Sequence, residues 1–194
     1  MVTNGREEAS RDLMIKLTKD LKCQQEPDVP LLEECFTPRY ATQYKLHGKW
    51  HDDEKLLLPG YLIAVTREPW NLARSIRLVN GPTRIVKVGD SYAPLSKQDR
   101  IWIETWTNEG QRSIPMTMAY KKGDKVIITE GPLKNQEAMI TKIDRRRNSA
   151  HIVIHAGQYT IRTTVGIAVL PESKMLERMQ DNPFESKSEN PDNA

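Results

Sequence analysis

The sequence predicts an α+β protein in two parts: a mixed helix-and-strand half over residues 1–107 and an all-β module over 119–170. In the first part, apolar residues recur at helical spacing (Ala9, Leu13, Leu17, Leu21) ahead of stretches that alternate at strand spacing. In the second, Val126 and Ile128, then Met139, Thr141 and Ile143, alternate on either side of a Gly131-Pro132 turn, with no helical period. The closing segment, 171–194, is polar and acidic; a short helix over 173–180 and then a disordered tail are expected. A hydrophobic content of 38% over 194 residues is low for one compact enzyme and adequate for two small cores.

A first helix is expected over Asn4–Leu21, with Asn4 as cap and Glu7 at capping-box spacing. Leu32–Phe36 reads as a short strand stopped by Thr37-Pro38. Arg39–Leu46 reads as a second, with Tyr40, Thr42, Tyr44 and Leu46 on one face. His47–Lys55 reads as a polar loop, and Leu56–Thr66 as a strand interrupted by Pro59-Gly60. Pro69 can open a helix at its first position, with Trp70, Ala73 and Ile76 following at helical spacing. Thr83–Val88 alternates as a strand. Ser96 and Asp99 cap a last helix whose buried side is expected to be Ile101, Trp102, Thr105 and Trp106. Residues 108–118 lack periodicity and read as a linker.

Net charge is +3, unevenly placed. In 121–170, Lys121, Lys122, Lys125, Lys134, Lys142, Arg145, Arg146, Arg147 and Arg162 face only Asp124, Glu130, Glu137 and Asp144. A polyanion is the partner such an excess suits. No apolar run approaches a membrane span, so no membrane partner is expected. Cys23 and Cys35 read as reduced thiols of a cytoplasmic protein. These two with His47 and His51 lack the C-x-x-C pair typical of structural zinc, so no metal is assigned. No Gly-rich phosphate loop or H-E-x-x-H occurs, and Asp52-Asp53-Glu54 is a solvated run. Neither an enzyme nor a cofactor is expected.

Residues 121–144, strand, Gly-Pro turn and strand, resemble the KOW motif, a small β-barrel module of transcription and ribosomal proteins. Leu58-Pro59-Gly60-Tyr61 followed by Leu62–Val65 resembles the central signature of the NusG N-terminal domain. Trp70–Arg77 and Ala93–Ser96 fit its helix and a later loop. With both in this order, residues 2–170 are similar to NusG-family elongation factors. The resemblance implies a ferredoxin-like N-terminal domain (1–107), a linker (108–118) and an SH3-like KOW barrel (119–170). It also implies an interior first strand, of which only Met1-Val2-Thr3 remains; a truncated N-terminus is the expectation. The family's glycines are replaced by Asn135, which tolerates φ > 0, and by Ala138, which needs negative φ or strain.

The resemblance further implies contact with the clamp helices of the RNA polymerase largest subunit through an apolar patch of Leu58 and Tyr61, neighboured by Tyr40, Tyr44 and Trp70. Tyr61 suits core packing and partner contact equally. Gly-Pro-Leu-Lys, Ile143-Asp144-Arg145-Arg146 and Val165-Gly166-Ile167 look like LoaP, an antitermination paralogue whose KOW domain binds a hairpin in nascent RNA. Arg145, Arg146 and Arg147 at a hairpin tip, with Lys134, Lys142, His151 and Arg162, would present a cationic edge to phosphates. A solvated turn that binds nothing is the plain alternative for the arginine run. At the level of the whole chain two others stay open: a general NusG-like factor whose KOW domain binds a ribosomal or termination protein, and a ribosome-associated RNA-binding protein.

Overall fold

The computed structural model describes residues 1–77, 83–107 and 112–174. The chain folds as a mixed α/β protein with mostly antiparallel strands. Its first helix, α1 (Glu7–Thr18), is shorter than expected and turned about its axis. Glu7, Met14 and Thr18 face inward, whereas Leu13, Leu17 and Leu21 are 39%, 41% and 37% exposed. The regular i+4 leucines are thus an outer stripe. Asn4 does not cap α1; Arg6 holds that position without a side-chain bond. The buried Glu7 carboxylate accepts the Gly60 N–H at 2.7 Å, tying α1 to the Pro59-Gly60 turn.

Strand β1 (Glu34–Phe36) pairs antiparallel with β4 (Ile63–Val65). Strand β2 (Arg39–Leu46) has the expected bounds and pairs along its whole length with β3 (Lys49–Leu56). The expected polar loop after Leu46 is therefore mostly a strand. His47 (φ 48°) and Gly48 (φ 80°) form the two-residue turn, the hairpin connection that requires left-handed backbone at both positions. The other edge of β2 pairs with β7 (Ser113–Ile114) in parallel, so part of the segment read as a linker belongs to this sheet. Helix α2 (Pro69–Ile76) starts at Pro69 and buries Leu72, Ala73 and Ile76. Of 83–88 only Lys87–Val88 forms a strand, β5, paired with β6 (Ser91–Tyr92).

Helix α3 (Lys97–Trp106) is capped as expected: Ser96 Oγ accepts the Asp99 N–H at 3.1 Å. Its buried side is Trp102 and Ile103; Ile101 and Thr105 face solvent. Next come β8 (Thr117–Lys122), β9 (Lys125–Glu130), β10 (Ile140–Asp144), β11 (Ser149–Ala156) and β12 (Tyr159–Pro171), in spatial order β10-β11-β12-β8-β9. β12 pairs antiparallel with β11 through Gly166, then parallel with β8 from Ile167. This change of partner curls the sheet, an arrangement compatible with a small barrel. Asn135 takes φ 61°, and Ala138 avoids positive φ inside a 3-10 turn over Glu137–Met139.

One hydrophobic cluster joins both halves: Phe36, Tyr40, Leu57, Leu58, Trp102, Ile103 and Ile114 pack with Ala119, Leu133, Ile152, Ile154 and Ile167. Polar bonds cross the same boundary. Trp102 Nε1 donates to the Pro132 carbonyl at 2.7 Å, the His155 N–H donates to Asp99 Oδ2 at 2.7 Å, and Thr163 donates to the Leu57 carbonyl. A smaller cluster of Met14, Leu31, Cys35, Leu72 and Ile76 lies under α1 and α2. Burial there pushes the Cys35 thiol up to about 12, which leaves it unreactive at neutral pH.

Candidate nucleic-acid interface

Asp144 ends β10 and folds the next turn around its own carboxylate. Its Oδ1 accepts the N–H groups of Arg146 (3.0 Å) and Arg147 (3.2 Å). With the backbone turned inward, the side chains of Arg145, Arg146 and Arg147 are exposed. Asn148 closes the turn at φ 48°, and its carbonyl accepts the Ile167 N–H at 3.0 Å. The tip is thereby anchored to β12. Arg147 Nε lies 3.9 Å from Asp144 Oδ2; Arg145 and Arg146 form no ion pair among the described residues.

Strand alternation places three further cations beside this tip. Lys142 is opposite His151, and His151 is opposite Thr164, whose Oγ1 lies 3.4 Å from His151 Nδ1. Arg162 lies one step further along the same face, opposite Val153. Ala150, Ile152, Ile154 and Val165 on the reverse face are buried, so the register that builds the core also presents Lys142, His151 and Arg162 to solvent. Guanidinium and ammonium groups spread over a strand face and a turn suit a row of phosphates. The face that carries Lys142, His151 and Arg162 has no Phe, Tyr or Trp, and the exposed Tyr159 lies at the far end of β12, so this surface favours recognition of backbone and shape over base stacking. Lys134 stands apart: the 131–136 turn sets it beside α3, in a shallow groove with Ile101, Trp106 and Gln136.

Of the expected apolar patch, Leu58, Tyr61 and Trp70 line one cavity, whereas Tyr40 and Tyr44 lie outside it. Tyr40 is 7% exposed and belongs to the core, which corrects its reading as a surface contact; Leu58 is 4% exposed, packs in the same core and reaches the cavity wall. Burial first, and then Asp53, pushes the Tyr40 hydroxyl above its ordinary range. Tyr61 packs against that core from its margin. Tyr44 is 44% exposed on the β2–β3 hairpin, stacked on His51 with ring centroids 5.5 Å apart. Trp70 is 56% exposed and meets Tyr92 edge-on at 4.6 Å. Lys87 and Tyr92, which complete the Trp70 cluster, carried no signal in the sequence because only the β5–β6 pairing brings them there. Trp50 and Lys45, opposite each other on the hairpin, went unread for the same reason.

Residues 122–155 match the KOW motif. The matched stretch runs from the end of β8 to His155 and so contains the arginine turn, Lys134, Lys142 and His151, and stops before Arg162. The motif fits a KOW-containing family such as NusG and points to an RNA- or protein-binding domain of the kind found in translation and transcription factors. A search of the curated proteins finds no match. Among the described residues, no helix is long and apolar enough to cross a membrane.

Proposed function

We propose that this protein is a NusG-type transcription antitermination factor, similar to LoaP, whose KOW segment holds structured RNA while its N-terminal half engages the clamp helices of RNA polymerase. The observation that carries the RNA reading is the arginine turn: three adjacent guanidinium groups projected from an anchored tip and continued by Lys142, His151 and Arg162. Nothing in this activity needs a bond made or broken. A factor that binds the processive state of polymerase better than the paused state shifts the balance by that difference in affinity. RNA held by the same molecule raises its local concentration at polymerase. With Leu58 and Tyr40 buried, Tyr44 and Trp70 are the aromatic groups of the proposed patch most available to polymerase.

The test is a salt titration of binding to a hairpin RNA, comparing the full chain with an Arg145→Ala/Arg146→Ala/Arg147→Ala variant. The variant is expected to bind about tenfold or more weakly and with a slope shallower by roughly 0.7–0.9 per lost phosphate contact. An unchanged slope removes these residues from the interface. A second reading, a general factor whose KOW segment binds protein, is equally compatible with the KOW match at 122–155. Capture of a ribosomal or termination protein by the full chain, with no RNA affinity, would favour it.

A further inference from the structure

The β2–β3 hairpin leaves the core after Thr42. Thr42 is buried, and every residue from Tyr44 to Lys55 is exposed. β3 is the outer strand of its sheet, in the order β3-β2-β7. The resulting arm buries neither of its faces, yet it carries Trp50, 43% exposed, so the core gives no reason for an indole there. Its charge is one-sided: Lys45, His47, Lys49 and His51 fall within 43–51, and no acid does. Neither lysine forms an ion pair among the described residues.

Lys45 stands opposite Trp50 in register, its Nζ 5.9 Å from the ring centroid. A ring face attracts an ammonium without cancelling its charge. The acids that follow on β3 are engaged within the fold: Asp52 accepts Gln43 Nε2 at 2.8 Å, Glu54 pairs with Arg39 at 2.6 Å and Asp53 lies 3.8 Å from Lys55. An exposed ring among free ammonium groups suits an unpaired nucleotide, its base on the indole and its phosphates on the lysines. Strand alternation puts Tyr44 on the face away from Trp50, so this use of the arm leaves Tyr44 to polymerase. The arm also springs from the crossing that anchors the arginine turn. Ala41 of β2 abuts Gly166 of β12, and the next residue, Ile167, donates its N–H to the Asn148 carbonyl at 3.0 Å. Lys45 lies about 13 Å along β2 from that crossing.

We propose that the β2–β3 arm binds unpaired RNA continuing from a stem held on the arginine turn, a base stacking on Trp50 and the phosphates meeting Lys45 and Lys49; this rests on the RNA reading of that turn. The two surfaces divide the work by chemistry. The arginine face has cations without rings and takes paired RNA by its backbone. A duplex offers the indole no free base face, so the arm takes only the unpaired continuation, and the molecule recognises the junction between the two.

Fluorescence anisotropy of the full chain with three RNAs tests this: a blunt hairpin, the same hairpin with an unpaired extension of about eight nucleotides, and the extension alone. The extension is expected to tighten hairpin binding about fivefold or more. Trp50→Ala should remove that gain and leave the affinity for the blunt hairpin unchanged, whereas Trp50→Phe, which keeps a ring, should retain most of it. The triple arginine variant should weaken both hairpins alike. No gain from the extension, or a gain that survives Trp50→Ala, overturns the proposal. If the blunt hairpin does not bind, the RNA reading of the turn falls by itself, and the extension alone decides for the arm: binding lost in Trp50→Ala supports it, and no binding overturns it. Should Trp50→Ala fail to fold, Lys45→Glu/Lys49→Glu takes its place, with the same loss of the gain expected.

Discussion

Gly166 sits where β12 crosses β2. A methyl group there would lie 2.2 Å from the Ala41 carbonyl oxygen and 3.0 Å from Met116 Cγ. The first neighbour is backbone and cannot swing aside. Gly166→Ala is therefore expected to cost about 2–4 kcal/mol, read by thermal unfolding; a melting temperature matching the parent would contradict the close crossing. The sequence places a glycine there but offers no reason for it, since φ at this residue is ordinary for a strand and the constraint comes from a residue 125 positions away. Asn135 is the opposite case. Its left-handed backbone was legible from residue chemistry, because asparagine tolerates that conformation inside a turn.

At the scale of elements, α1 is held by a carboxylate as well as by apolar packing. Burial alone would raise the Glu7 pKa. The N–H groups of Gly60, Gly5 and Glu7 itself outweigh it and hold the carboxyl below the ordinary 4.5. A depressed carboxyl stabilises the fold above its unfolded pKa, and that stability is lost as pH falls through the folded value. Glu7→Gln is expected to cost about 1 kcal/mol at neutral pH, since the amide oxygen can still accept the Gly60 N–H without the charge. The gap between parent and variant should narrow below pH 4.5; an equal gap at pH 3 and pH 7 would contradict this role. The buried side of α1 was misread for a related reason: Glu7 and Thr18 face inward once bonded, Thr18 Oγ1 donating to the Met14 carbonyl at 2.8 Å, so polarity no longer marks the outer face. The strands β1, β2 and β9 and the cap of α3 were legible because their patterns are local. β3 was not, because Lys49–Lys55 is exposed along its length and shows no apolar alternation.

For the whole molecule, the joined core and the bonds across it predict cooperative unfolding. Far-ultraviolet circular dichroism and tryptophan fluorescence are expected to report one coincident transition. Trp102→Phe removes the donor to the buried Pro132 carbonyl and should lower that single transition by about 1–2 kcal/mol. Two separate transitions would contradict a shared core. The succession of a mixed helix-and-strand half and a KOW segment was readable from local pattern. Their union was not, because Ile114, Trp102, Leu133 and Ile167 meet only in three dimensions. The same holds for the candidate interface. The arginine run stood out as a run, whereas the alignment of Lys142, His151 and Arg162 beside it needed the strand register, and the remoteness of Lys134 needed the turn beside α3.

The anchoring of Asn148 to β12 has a geometric consequence. Ile167 grips the base of the arginine turn one residue after the glycine that is wedged against β2. The tip therefore keeps a fixed bearing relative to the N-terminal half, and it cannot pivot unless the crossing itself comes apart. Whatever the guanidinium groups hold is delivered along a set direction, so the distance from cargo to the N-terminal surface becomes a property of the fold and not of a tether's length.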